Sequence, residues 1–134
     1  MEIIMKPIGY VKCDIKERHQ APRHCSISDR EGVIEILPQY EEGLYRIGER
    51  SRIVVIFNFH KSKGSPLQQY PSGGKRRKGV FSICSPDRPN SIGMSVLELL
   101  RVEGNKLYVK NIDMIDGTPV LDIKPYKPPN VDNK

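Results

Sequence analysis

The stretch SVLELLRVEGNKLYVKNID, Ser95 to Asp113, decides the fold. Its first half, SVLELLRV, suits a helix or a strand, because its Val and Leu positions satisfy either period. The second half settles the choice. Glu103-Gly104-Asn105-Lys106 is turn chemistry, and beyond it Leu107 and Val109 alternate with Tyr108 and Lys110. Alternation after a tight turn calls for a partner strand before it, so Ser95 to Asp113 is predicted to be a β-hairpin.

Working outward, most of the remaining signals are also strands. Ile3, Ile4, Met5, Ile8, Tyr10 and Val11 suggest an opening strand that Pro7 pushes toward an edge or bulge. GVIEIL (Gly32 to Leu37) is a short β-branched run ended by Pro38. RIVVIFNFH (Arg52 to His60) has the nearly continuous apolar composition of a strand buried on both faces. GVFSIC (Gly79 to Cys84) is predicted as another strand, and YEEGLYRIGE (Tyr40 to Glu49) as the one short helix. Short strands with frequent Gly and Pro punctuation point to a mainly β barrel or sandwich rather than to βαβ units. Lys61 to Arg77 is polar, without core periodicity, and is predicted to be a long loop of the kind that is functional or disordered. The expected organisation is one domain over residues 1–123 and an extended arm over 124–134.

The 134 residues carry a net charge of +6, with an isoelectric point near 9.3. That balance favours an anionic partner, nucleic acid first. Lys75, Arg76, Arg77 and Lys78 stand in a row between glycines, either as a solvated loop or as a track along a phosphate backbone. No apolar run approaches the ~20 residues of a membrane span. The opening MEIIMKPIGY has none of the features of a signal peptide. Three cysteines, Cys13, Cys25 and Cys84, fit reduced thiols, so the expected compartment is the cytoplasm.

Familiar cofactor motifs are missing. No G-x-G-x-x-G follows a strand, and SGGK lacks the spacing of a phosphate-binding loop. No Cys or His pair has zinc-ligand spacing, so no metal is expected. More specific signals lie at strand ends. Asp116-Gly117-Thr118-Pro119 reads first as a tight turn. Asp113 ends an apolar strand, where a carboxylate is useful only if something donates to it. His60 and Lys61 end the RIVVIFNFH run, and polar groups at strand ends are how a barrel builds a pocket. In CSPDRPNSIG (Cys84 to Gly93), Pro86 and Pro89 hold an extended loop that presents Arg88 and Asn90, and Gly93 is expected to let the chain pass close to a ligand.

Four blocks, APRHCSI (Ala21–Ile27), FNFHKS (Phe57–Ser62), GVFSICSPDRPNSIGMSVLELL (Gly79–Leu100) and DMIDGTPVLDIKPYKP (Asp113–Pro128), resemble in type and order those of the TsaA/TrmO family of tRNA methyltransferases. The resemblance covers essentially the whole chain. It implies a small β-barrel that uses S-adenosyl-L-methionine and methylates the exocyclic nitrogen of threonylcarbamoyl-adenosine beside the tRNA anticodon, as a homodimer. It assigns the cofactor to Cys25, Ser26, Ile27, His60, Lys61, Met94, Ile112 and Asp113. The candidates for the substrate side are Arg88, Asn90 and Asp116, with the basic run Lys75 to Lys78 for RNA phosphates. Asp116 is the first candidate for a general base and His60 the second. Three departures stand out: Cys84 where the family commonly has arginine, Ser91 where it has proline, and His24-Cys25-Ser26 where it has a Gln-Pro-Gly-like run. The competing readings are a basic barrel that binds RNA without catalysis and a methyltransferase with a different acceptor. Binding of S-adenosyl-L-methionine separates the first of these from an enzyme.

Overall fold

The structure is a computed structural model that describes residues 1–71 and 73–127. Its strands are β1 (Gly9–Lys12), β2 (Glu31–Ile36), β3 (Arg52–Asn58), β4 (Gln68–Gln69), β5 (Lys78–Gly79), β6 (Ile92–Glu103), β7 (Lys106–Lys110) and β8 (Pro119–Pro125). Six of them close an antiparallel barrel in the order β1-β2-β7-β6-β3-β8, while β4 and β5 pair as a separate small flap.

The predicted hairpin is β6 and β7. Gly104 supplies the positive φ of its turn, and the Asn105 side-chain amide donates to the carbonyl of Ile36 at 2.7 Å, tying the turn to β2. Alternate residues of every barrel strand point inward. Ile53 and Val55 of β3 face Leu97 and Ser95 of β6, and Val11 of β1 faces Ile34 of β2. With Leu107, Val109 and Val120 these apolar side chains are fully buried. Each stabilises the fold by about 1.5–3 kcal/mol relative to exposure. Ile15, Ile112 and Met114, from the connections, plug one end of the barrel.

Several elements differ from the sequence expectation. RIVVIFNFH is not buried on both faces: Ile53, Val55 and Phe57 face inward, Val54 and Ile56 are partly covered, and the strand ends at Asn58. A closed barrel has one dry side, so the outer apolar residues have only partial cover. Of GVFSIC only Gly79 is in a strand, the last residue of β5, and a 3-10 turn follows at Val80–Ser82, because Val80 finds a buried site and Phe81 is left exposed. The opening strand is just Gly9–Lys12, with Ile3, Ile4 and Met5 exposed ahead of it. The expected helix is two 3-10 segments, Pro38–Leu44 and Ile47–Glu49, separated by Arg46 at φ 64°. A strand was not foreseen after the Asp-Gly-Thr-Pro turn, yet β8 runs from Pro119 to Pro125 and completes the barrel, two residues into the expected arm. Residues 128–134 of that arm lie outside the described residues.

Gly93 is needed for packing. A Cβ there would sit 2.4 Å and 2.6 Å from ring carbons of Phe57 and 2.7 Å from the Phe59 ring. Those two rings meet edge to face at 5.0 Å. The close approach therefore serves an aromatic pair of the chain itself, where the sequence suggested a ligand. Replacing Gly93 by Ala should destabilise the fold by about 1–3 kcal/mol through overpacking. Urea denaturation would show a lower midpoint at an unchanged slope, and an unchanged midpoint would contradict the packing account.

Candidate functional site

Antiparallel order places the connections between the barrel strands on two rims. The β1–β2, β3–β6 and β7–β8 connections all cross the same rim, where β1, β3 and β7 end and β2, β6 and β8 begin. Cys25, Ser26, Ile27, His60, Lys61, Arg88, Asn90, Asp113 and Asp116 lie on those three connections. Polar side chains scattered over ninety residues of sequence thus share one end of the barrel.

Asp113 anchors the first cluster. Ser95, buried on the inner face of β6, donates its hydroxyl to the Asp113 carboxylate at 2.7 Å. Burial pushes the Asp113 carboxyl above its ordinary range, against the opposing pull of Ser95, the Cys25 amide and the nearby His24. The 3-10 turn Cys25–Ile27 stands next to this carboxylate, capped by His24, whose Nδ1 accepts from the Ser26 amide at 3.1 Å. Cys25 is buried, while Ser26 and Ile27 face solvent.

The second cluster surrounds the Asp116-Gly117 turn. The Asp116 carboxylate accepts from the Cys13 amide at 3.0 Å and from Lys16 Nζ at 3.0 Å. These contacts, the Cys13 amide foremost, hold its carboxyl below the ordinary range. His60 Nε2 stands 3.8 Å from the position of a Cβ on Gly117, so its ring lies over the turn. Partial burial and the neighbouring Lys61 lower its pKa, with Asp116 opposing them. A carboxylate whose pKa two donors hold low is a poor base, whereas a neutral imidazole has a free lone pair. Of the two base candidates, the geometry favours His60.

A third cluster knits the loops together. Arg18 forks onto both oxygens of Asp87, at 3.2 Å each, and the same carboxylate accepts from the Lys63 amide at 2.7 Å and from Ser62 Oγ at 3.3 Å. Burial pushes Asp87 upward, but these donors outweigh it and leave the carboxyl low. Arg88 donates to the carbonyls of Ile83 and Ser85 at 2.9 and 3.2 Å, bracing the loop from within. Ser91, at the position that departs from the family's proline, donates its hydroxyl to the Arg88 carbonyl at 3.3 Å.

Other expected residues sit apart from these clusters. The Ile112 side chain is fully buried in the core. Met94 points outward from β6 and is exposed. Lys75 to Lys78 belong to the β4–β5 flap. Cys84 is an exposed free thiol. Two open concavities, about 480 Å³ beside Arg50 and Tyr126 and about 530 Å³ beside Tyr40 and Ile123, lie toward the opposite rim, away from this polar chemistry. Among the described residues no cluster of His, Cys, Asp and Glu could hold a metal. The reading of the sequence did not single out Ser95, Arg18 or Asp87 as site residues. Ser95 alone carried a local signal, a hydroxyl at inward parity in an apolar strand; Arg18 and Asp87 are 69 residues apart and meet only in the fold.

Comparison with known proteins agrees with this architecture. Residues 10–133 match the family described as the tRNA-methyltransferase O N-terminal domain. The chain is 42% identical over 126 residues to an S-adenosyl-L-methionine-binding protein of Archaeoglobus fulgidus, covering 94% of this chain and 91% of that one. It is 36% identical over 132 residues to the human tRNA (adenine(37)-N6)-methyltransferase, covering 92% of this chain and 30% of the human protein. The crystal structure of TrmO from Pseudomonas aeruginosa superposes with a TM-score of 0.81 at 34% identity, over 100% of this chain and 61% of that one. The chain therefore spans about three fifths of that solved chain and under a third of the human protein.

The raised pKa of Asp113 has a consequence for stability. Between the ordinary value of 3.8 and its folded value, the folded state holds more protons than the unfolded state. Stability contributed by the protonated acid is thus present below that range and is lost as pH rises through the folded pKa. Asp113→Asn should remove this component, so the melting-temperature difference between variant and wild type should move in the variant's favour as pH rises from about 4. A pH-independent difference would show that Asp113 is not desolvated.

Proposed function

This chain belongs to the tRNA-methyltransferase O N-terminal domain family, and on that premise we propose that it is an S-adenosyl-L-methionine-dependent tRNA methyltransferase. Its acceptor in this reading is the exocyclic nitrogen of threonylcarbamoyl-adenosine next to the anticodon. The single observation that carries the proposal is the convergence of Asp113, the Cys25–Ile27 turn and His60 on one barrel rim.

The donor set suits such a cofactor. A half-buried carboxylate with an acceptor face is what a ligand carrying hydroxyl and amino donors requires, and exposed Ile27 offers apolar surface for an adenine ring. Ser26 and Lys61 add polar groups at the edge of that surface. When bound, the cofactor supplies an electrophilic methyl group on a sulfonium. The work left to the protein is positioning and proton removal. The acceptor nitrogen is a weak nucleophile while its N–H is intact, and His60 Nε2 takes that proton in this account. Asp116 keeps the Gly117 turn in place under the imidazole. Arg88 and Asn90 face the base side from the neighbouring loop, and Lys75 to Lys78 contact RNA phosphates. The protein acts as a homodimer in the cytoplasm in this reading. Met94, exposed on the outer face of β6, is apolar surface that a second subunit would cover and supports the dimer. No helix among the described residues is long and apolar enough to cross a membrane.

Mass spectrometry of tRNA nucleosides, before and after incubation with the protein and cofactor, tests the acceptor. A new methyl group on threonylcarbamoyl-adenosine is expected. A methyl elsewhere points to another acceptor, and cofactor binding with no transfer defeats the enzymatic reading.

The pH profile tests the base. Because the pKa of His60 lies below its ordinary 6.5, the neutral imidazole persists to lower pH. The acid limb of kcat/KM should therefore fall below 6.5. His60→Asn should lower kcat by about 10²–10⁴-fold and abolish that limb, with cofactor affinity largely retained. An acid limb that survives the substitution would assign the proton to another group.

A further inference from the structure

Charge on this chain is segregated. Of its 22 Lys and Arg and 16 Asp and Glu, six cations and no carboxylate lie between Lys61 and Pro86, so the rest of the sequence is balanced, 16 against 16. The whole net charge of +6 resides in the segment that contains the β4–β5 flap. The same segment presents large apolar side chains to solvent: Leu67 and Tyr70 are each 64% exposed and Phe81 is 79% exposed.

The flap is not loosely attached. Gln68 pairs with Gly79 and Gln69 with Lys78, and the Val80 amide donates to the Leu67 carbonyl at 2.9 Å. Val80 is buried, which roots one strand of the flap in the body of the protein. Gln69 Nε2 donates to the Asp87 carbonyl at 2.6 Å, and the Asp87 side chain is gripped by Arg18. The flap that carries the exposed rings is thus tied to the β3–β6 connection, which also carries His60.

Cations alone would suit any phosphate surface, duplex RNA included. Exposed aromatic faces beside them suit something narrower, because only unpaired bases have π-faces free to stack. We infer that Tyr70 and Phe81 form a stacking platform for the unpaired bases of an RNA loop whose phosphates follow Lys75, Arg76, Arg77 and Lys78. The inference rests on the tRNA reading above and specifies which part of the RNA this surface grips.

The test uses the full chain and fluorescence anisotropy, across a salt series, with two probes: a short RNA hairpin with an unpaired loop and a fully paired RNA of the same nucleotide number. The variant Tyr70→Ala with Phe81→Ala should bind the hairpin at least about fivefold more weakly per ring removed, with duplex affinity and salt slope unchanged. Tyr70→Phe, which keeps the ring, should bind as wild type. Replacing Lys75, Arg76, Arg77 and Lys78 by Gln should weaken both probes and reduce the logarithmic salt slope by about 3. Both ring positions are exposed, so an unchanged melting temperature serves as the folding control. Unaltered hairpin affinity, or equal losses on both probes, overturns the platform. So does a drop in sedimenting mass of the alanine variant, which would assign the rings to contact with a second copy. The outcome is separable from that of the functional reading. Ring-dependent hairpin binding without methyl incorporation into tRNA leaves the platform standing and removes the enzyme, whereas full methyl transfer by the alanine variant does the reverse.

Discussion

Closure of the barrel between β1 and β8 is the constraint on which the rest depends. The two strands share only two registered pairs, Gly9 with Val120 and Tyr10 with Pro119. The seam is completed beyond them by the turn: the Val11 amide donates to the Thr118 carbonyl, Gly117 to that of Val11, and Asp116 to that of Ile15. The Asp116 carboxylate then returns to the Cys13 amide, which has no strand partner. Gly117 at φ 84° makes this geometry accessible. Without the seam, β8 has no partner on one side and the barrel becomes an open sheet with two edges. The chemistry is therefore built on a closure device. Asp116 is occupied by the Cys13 amide and the Lys16 ammonium because it is a seam residue, and His60 comes to lie over the turn because β3 ends beside β8.

Much of this follows from alternation. The β6–β7 hairpin was legible because Leu107 and Val109 alternate after Gly104, and β2 because Pro38 ends a short β-branched run. GVFSIC misled because its composition is that of a strand, but composition does not reveal whether a cover exists; only Val80 has one. The 3-10 segments after Pro38 escaped prediction as such because Tyr40 to Glu49 carries helical residues while Gly43, Arg46 and Gly48 interrupt the ladder. β8 was obscured by the turn before it and the prolines after it, although VLDIK holds strand-forming residues. Its burial depends on two neighbours, β1 and β3, that no local window contains.

The site was legible in a different way. Single residues at strand ends, Asp113 and His60, stood out because a polar group there needs a partner. Their partners did not. Ser95 lies 18 positions from Asp113, and Arg18 lies 69 from Asp87. Such pairs become neighbours only once the order of strands around the barrel is known. Arg88 shows the opposite failing: as a cation in a proline-flanked loop it suggests ligand contact, yet two of its loop's own carbonyls occupy part of its guanidinium. A side chain with five donors can brace a loop and still present free N–H groups, so bracing and recognition are compatible in one residue.

Asp113 marks where function and stability pull apart. In an apolar barrel mouth, a carboxylate loses solvation, and the hydroxyl of Ser95 does not restore all of it, as its raised pKa records. A leucine or asparagine at that position would sit there with less desolvation, so folding alone gives no reason for the acid. A ligand that donates to such an acid removes the unfavourable part of its burial when bound. A ligand bringing hydroxyl or ammonium donors to Asp113 would lower its pKa and stabilise the barrel together. The carboxylates of Asp116 and Asp87 need no such partner. Asp116 and Asp87 both have pKa values held low by donors from the chain itself. Of Asp87, Asp113 and Asp116, only Asp113 has a carboxyl that burial leaves raised, and a ligand that donates to it would relieve that.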